Sequence, residues 1–233
     1  MKAMILAAGL GERMRPLSDH TPKPLLRAGG RPLIDYHLER LARAGCAEVV
    51  INISHLAEQL IDYCGEGTKW GLQIAYSREP APLETAGGIQ QALPLLGADP
   101  FLVVNGDIWC DFDFEQLLER SLDNGADNGA LAWLVMVDNP PQHPLGDFVL
   151  QERGSVAFRP ADAVGLTYAG IGLYTSAFFD HLAPGKMPLR PLLDRAIGAN
   201  RLRGEYHAGQ WFDIGTPERL ALLDARLRAA DQN

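Results

Sequence analysis

A chain of 233 residues, 47% hydrophobic and 21% charged, is long enough to bury a full core, and one domain over residues 1–228 is expected. The formal charge of -8 excludes a general nucleic-acid surface, and no run reaches the ~18 apolar residues of a membrane-spanning helix. Cys46, Cys64 and Cys110 stand too far apart for a disulfide framework or a zinc site, and the apolar start is too short for a signal peptide. The expectation is a cytoplasmic protein, a monomer or small homo-oligomer, with no nucleic-acid or membrane partner.

Residues 2–7 read as an apolar strand that passes into a glycine-bearing loop. Residues 32–44 carry Leu33, Ile34, His37, Leu38 and Leu41 at helical spacing, with Pro32 suited to a first turn and Gly45 to a stop. His37 at that spacing is expected to pack rather than react. Strands are predicted over 48–53, 72–76 and 101–104, and helices over 55–63, 86–96 and 114–122. Continuous apolar strands joined by helices indicate a parallel sheet covered on both faces.

A turn region at 123–129 separates this half, 1–129, from a second half, 130–228, with a different rhythm. There, strands are expected over 130–137, 146–151, 155–158, 167–174 and 202–206. Helices are expected over 176–182, 189–197 and 217–230, and the last five residues are expected to fray.

The loop after the first strand reads Ala7-Ala8-Gly9-Leu10-Gly11-Glu12-Arg13, continuing to Pro22-Lys23-Pro24. Residues 1–31 hold six Lys or Arg against Glu12 and Asp19, a positive patch in an acidic protein. Glycine lets backbone N–H groups approach phosphate oxygens, a guanidinium grips phosphate in two-pronged fashion, and a lysine adds a mobile charge. The patch therefore points to a phosphate chain. A dinucleotide fingerprint would need a third glycine and a P-loop would need Gly-Lys-Ser/Thr, and neither is present.

Two carboxylates stand out. Asp107 follows the apolar run 101–104 through Asn105 and Gly106, at the carboxyl end of a buried strand. Asp213 sits between Phe212 and Ile214, where a lone carboxylate is costly unless a metal or an arginine compensates it. Hard carboxylate oxygens next to phosphates suit Mg²⁺. Asp113 is expected to cap the helix after it, and Thr216 the helix beginning at Pro217. Sequence alone does not bring Asp107 and Asp213 together.

Leu6-Ala7-Ala8-Gly9-x-Gly11-x-Arg13-x-x-Pro16, Pro22-Lys23-Pro24-Leu25, Glu84-Thr85-Ala86-Gly87-Gly88, Asn105-Gly106-Asp107 and Asp213-Ile214-Gly215-Thr216-Pro217 together resemble the sugar-1-phosphate nucleotidyltransferase family, over nearly the whole chain. The resemblance implies a Rossmann-like α/β/α sandwich with a mixed central sheet, of the GT-A-like kind. It implies that Ala7, Ala8, Gly9, Gly11, Arg13 and Lys23 hold the triphosphate, and that Gly87 and Gly88 belong to the base pocket. Asp107 and Asp213 become Mg²⁺ ligands, and Asn105, Gly146, Arg159 and Gly170 belong to the sugar-phosphate side.

Within the family the pattern implies UTP and N-acetylmuramate 1-phosphate as substrates, with GTP and mannose 1-phosphate as the rival pair and a nucleotide-sugar binding module as the non-enzymatic reading. The length, without a left-handed β-helix tail, separates the chain from bifunctional acetyltransferase relatives. Three positions depart from the family pattern. Glu12 replaces a frequent Thr, so its carboxylate must turn away from the triphosphate or pair with Arg13 or Arg15. Glu84 stands where Leu-Gly-Thr-Ala-Gly has its first glycine. Arg159 stands nearest to the lysine of a Glu-Lys-Pro motif. The sugar carboxylate needs a donor, for which Arg159, Arg190, Arg201 and Arg203 are candidates.

Overall fold

The computed structural model describes residues 1–120, 122 and 129–230. Of the turn expected across 123–129, residues 123–128 lie outside the described residues; of the five residues expected to fray, 231–233 lie outside them, while 229 and 230 belong to the last helix. In chain order, β1 (Lys2–Leu6) leads through the glycine loop to the short pair β2 (Arg27–Ala28) and β3 (Arg31–Pro32), then to α1 (Leu33–Arg43). Next come β4 (Glu48–Ile53), α2 (Ala57–Cys64), β5 (Gln73–Arg78), α3 (Glu84–Leu96), β6 (Phe101–Asn105), β7 (Ile108–Cys110) and α4 (Glu115–Leu118). The second half holds β8 (Ala132–Val137), β9 (Phe148–Leu150), β10 (Val156–Phe158) and β11 (Thr167–Tyr174). It continues with α5 (Arg190–Gly198), β12 (Leu202–Tyr206), β13 (Trp211–Asp213) and α6 (Pro217–Ala230).

Seven strands form one sheet in the order β12-β8-β11-β6-β1-β4-β5. The first-half strands β5, β4, β1 and β6 pair parallel, as their apolar runs predict. β11 runs antiparallel to both of its neighbours, β6 and β8, which makes the sheet mixed. Successive side chains of a strand point to opposite faces. Ala3 and Ile5 of β1 therefore enter one core with Leu38 of α1 and Leu60 of α2. Met4 enters the other with Ile89 of α3 and Leu193 of α5. The result is a three-layer α/β/α sandwich. Each fully buried aliphatic side chain contributes roughly 1.5–3 kcal/mol, so strands held on both faces present their carboxyl ends at fixed height. Among the described residues no helix is long and apolar enough to cross a membrane.

Three expectations change. The helix predicted over 114–122 is a single turn, α4, with Asp113 Oδ1 accepting the Glu115 N–H at 3.1 Å, so the capping role holds while the helix is shorter. The segment 176–182 is a 3₁₀ turn over Ser176–Phe179, because the chain becomes extended at Asp180 and left-handed at His181. The helix after β4 starts at Ala57, two residues later than predicted, since Leu56 takes a left-handed conformation. Sequence reasoning missed β7 and β13, three residues each, which pair with one another outside the main sheet.

His37 packs inside α1, as expected, and burial, reinforced by the Arg40 charge, pushes its imidazole down to about 4. The free imidazole titrates near ~6.5, so below that pH the unfolded chain takes up a proton that the folded chain refuses. Stability is full above that value and is lost as pH falls toward the folded pKa. The size of that loss is roughly 3 kcal/mol by about pH 4, from the two pKa values. Urea midpoints measured from pH 7.5 to 4.5 should fall more steeply for the wild type than for His37→Leu. Parallel slopes would remove His37 from the acid lability of the fold.

Candidate active site

The loop that leaves β1 is shaped by its own sequence. Gly11 is left-handed at φ 65°, and its carbonyl accepts the Met14 N–H at 2.8 Å and the Ser18 hydroxyl at 2.7 Å. Met14 is buried against Leu33 and Ile214, anchoring the loop from below. Residues 9–14 then line a cavity with Lys23, Asp107, Lys186 and Gly215. Glu12 is exposed, and Arg15 pairs with Asp19 at 3.2 Å rather than with it.

Ala7, Ala8 and Gly9 also form one wall of a neighbouring cleft, whose other walls are Asn52, Glu79, Pro82, Glu84, Thr85 and Asn105. Gly9, Lys23 and Asp107 are common to both cavities. A buried relay ties the cleft together. The Ala7 N–H donates to Asn52 Oδ1 at 2.7 Å, Asn52 Nδ2 donates to Glu79 Oε1 at 2.7 Å, and the Leu83 N–H donates to Glu79 Oε2 at 2.8 Å. Asn52 and Glu79 are both buried, so each polar atom depends on the others.

Gly87 and Gly88 are buried inside α3 and are not among the residues lining the cleft. A side chain at Gly88 would stand 2.6 Å from Glu79 Oε1 and 2.9 Å from Asn52 Nδ2. One at Gly87 would collide with the Gly185 carbonyl. These glycines therefore leave room for the groups that shape the cleft.

The segments that carry the two acids are joined by the pairing of β7 with β13. Asp213 is the register partner of Ile108, and the Ile214 N–H donates to the Asp107 carbonyl at 2.9 Å. Segments about a hundred positions apart in sequence are thus joined across one ribbon. Lys23 Nζ lies 2.8 Å from Asp107 Oδ2, and Arg219 Nη1 lies 2.5 Å from Asp213 Oδ2. Among the described residues, Oδ1 of each carboxylate carries no hydrogen bond. Gly215 lets the cations close in: a side chain there would be 2.8 Å from Arg219 Nη1 and 3.3 Å from Arg13 Nη1. Thr216 Oγ1 accepts the Arg219 N–H at 3.4 Å, the expected cap of α6, which places Arg219 in the first turn of that helix.

The far end of the same two strands carries a second polar group. Asp111 Oδ1 meets His207 Nε2 at 2.7 Å and the Gln210 N–H at 2.8 Å. With Cys110, these residues bring a thiol, a carboxylate oxygen and an imidazole nitrogen within 4.8 Å of one another, a set that could hold a cation. Burial pushes the Cys110 thiol up to about 12, so it stays protonated at neutral pH.

On the second-half side, Gly170 sits in a bulge of β11 with φ 75°, where a side chain would stand 2.6 Å from Asn105 Nδ2. The structure thus places Asn105 and Gly170 in contact. Gly146, at φ 68°, packs against Asn139. Arg159 donates to the Pro160 and Ala163 carbonyls and braces its own loop. Arg203 is buried on the Asn200 and Leu202 carbonyls, Arg201 donates to Gly129, and Arg190 pairs with Asp194. A third cavity beside Asp213 is lined by Asn139, Gln142, Trp211 and Arg219. Sequence reasoning missed Asn52, Glu79, Gln142 and Arg219. A polar residue near the carboxyl end of an otherwise buried strand was the available signal for Asn52, as it was for Asn105.

The profile of the Nucleotidyl transferase family matches residues 2–231. The chain belongs to that family. This nucleotidyl transferase is 50% identical over 222 residues to an N-acetylmuramate alpha-1-phosphate uridylyltransferase of Neisseria meningitidis serogroup B, covering 94% of this chain and 95% of the relative. It is 33% identical to the Caulobacter vibrioides protein of the same name, covering 98% and 97%. A Drosophila melanogaster mannose-1-phosphate guanylyltransferase catalytic subunit beta is 31% identical over 93% of this chain, which spans 60% of that relative. A Bacillus anthracis structure assigned as a glucose-1-phosphate thymidylyltransferase superposes with a TM-score of 0.84 at 22% identity, covering 98% and 95%, and carries the same fold.

Proposed function

We propose that this nucleotidyl transferase joins UTP and N-acetylmuramate 1-phosphate to give UDP-N-acetylmuramate and pyrophosphate, a step of peptidoglycan recycling. The pairing of β7 with β13 supports the chemical part of this reading, because it joins the two segments that carry Asp107 and Asp213 next to a glycine loop bearing Arg13 and Lys23. The near full-length similarity to the Neisseria protein supports the choice of substrates.

The reaction needs no general base, since a sugar-phosphate oxygen is already anionic near neutrality. That oxygen attacks the α-phosphorus, a new O–P bond forms, and the bond to the β-phosphate bridging oxygen breaks as pyrophosphate leaves. The obstacle is bringing polyanions together, so positioning and charge carry the catalysis. The amides of the 9–13 loop, Arg13 and Lys23 neutralise the departing pyrophosphate. Asn105, Gly146, Arg159 and Gly170 are assigned to the sugar-phosphate side, where Arg219 and Gln142 add donors.

Asp107 and Asp213 suit Mg²⁺: both are hard oxygen donors, and each keeps Oδ1 open while Oδ2 is held by a cation of the chain. When bound there, Mg²⁺ would supply positive charge to the phosphates. In the structure as described, Lys23 and Arg219 balance the two acids.

The deciding experiment sets UTP, GTP, CTP and dTTP against the 1-phosphates of N-acetylmuramate, N-acetylglucosamine, glucose and mannose, with pyrophosphate release as readout. The highest kcat/KM is expected for UTP with N-acetylmuramate 1-phosphate. A preference for GTP with mannose 1-phosphate would overturn the substrate assignment and leave the two-carboxylate chemistry standing.

A further inference from the structure

Glu84 opens α3 with φ 61°, a left-handed conformation that a residue with a side chain adopts at a cost. Its carboxylate meets Lys186 Nζ at 3.2 Å. The backbone that carries Lys186 is docked firmly on the start of α3. The Met187 carbonyl accepts the Ala86 and Gly87 N–H groups at 3.0 and 3.1 Å, and the Met187 N–H donates to the Leu83 carbonyl at 2.8 Å. Gly87 has no side chain to obstruct the Gly185 carbonyl that this docking brings close. The base of the lysine is therefore fixed while its side chain is 67% exposed.

Glu84 belongs to the wall of the Asn52–Glu79 cleft, and Lys186 belongs to the wall of the cavity formed by Gly9, Arg13 and Lys23. The ion pair thus spans the boundary between the two cavities. An exposed pair of this kind is weak, whereas phosphate offers a lysine charge-assisted hydrogen bonds to several oxygens. A phosphate group beside Arg13 and Lys23 outbids a single carboxylate.

We propose that Lys186 is a phosphate-binding residue of this site, held by Glu84 when the cavity is empty and transferred to the bound phosphate when it is filled. The proposal rests on the nucleotidyl transfer reading above. It assigns Glu84, at the left-handed position, a role as the resting partner of the third cation of the cavity. The phosphate could belong to the triphosphate and its pyrophosphate product or to the sugar 1-phosphate, and both are tested.

Calorimetric binding of Mg²⁺-pyrophosphate, together with KM values for UTP and N-acetylmuramate 1-phosphate, would be measured for wild type, Lys186→Ala, Glu84→Gln and the double variant. Lys186→Ala should weaken pyrophosphate binding and raise the UTP KM about 10-fold, with an unchanged melting temperature. Glu84→Gln, which removes the competing charge, should tighten pyrophosphate binding a few-fold, and the double variant should lose that gain. A rise confined to the sugar 1-phosphate KM would support Lys186 as a phosphate ligand and identify the sugar phosphate as its partner. Normal wild-type binding with all constants unchanged in Lys186→Ala would overturn the proposal alone. Absence of pyrophosphate, UTP and sugar-phosphate binding in the wild type would overturn the nucleotidyl transfer reading with it.

Discussion

Asp107→Ala and Asp107→Asn should each lower kcat by at least ~10²-fold, the scale of removing one electrostatic contact to a transition state. The two substitutions separate chemistry from folding. Lys23, only 10% exposed, has Asp107 as its anionic partner. Alanine strands that ammonium, and leaving a poorly hydrated charge unpaired is destabilising. Asparagine keeps an oxygen for it, so Asp107→Asn should melt close to the wild type while its turnover collapses. Steady-state rates at saturating Mg²⁺, read beside thermal melting curves, decide the matter. A near wild-type kcat for Asp107→Asn would remove the carboxylate from the reaction.

The second large effect is expected at Asn52, which has no proposed contact with the reacting atoms. Asn52→Leu removes the acceptor of the Ala7 N–H and a donor to the buried Glu79 carboxylate. Each stranded polar group costs about 1–3 kcal/mol, so the total is roughly 2–6 kcal/mol. For a chain of this size that lowers Tm by roughly 4–24 °C. Because Ala7 and Glu79 both line the cleft, the nucleotide KM should rise as well. Differential scanning calorimetry and UTP kinetics test both halves of this expectation. A shift of a degree or less would mean that the relay shapes the cleft without holding it.

The main sheet was legible because β1, β4 and β6 are buried on both faces and read as unbroken apolar runs. β12, β11 and α6 also fall on the bounds predicted for them. What escaped was mostly what depends on a distant partner. Three residues such as Ile108, Trp109 and Cys110 carry no periodicity that could distinguish a strand from a turn, and their partner strand lies about a hundred positions away. Arg219 escaped for a local reason: it reads as an ordinary helix-surface residue until the turn at Gly215 and Thr216 folds the first turn of α6 back on Asp213. The resemblance that placed both acids at one metal could not say which cations hold them. The resemblance implied that Gly87 and Gly88 belong to the base pocket; what it could not say is that their missing side chains leave room for Gly185 and for the Asn52–Glu79 pair.

The ribbon of β7 and β13 also sets when the protein becomes competent. Its two strands come from opposite halves of the chain, so the acid pair exists only after a long-range loop has closed. Neither half can be assayed for the chemistry by itself, since a cut anywhere between 107 and 213, followed by separation, leaves one carboxylate on each piece. Local elements can form earlier without producing turnover. Activity in this protein is therefore a reporter of completed topology, and its return on refolding dates the last docking event rather than the appearance of the sheet.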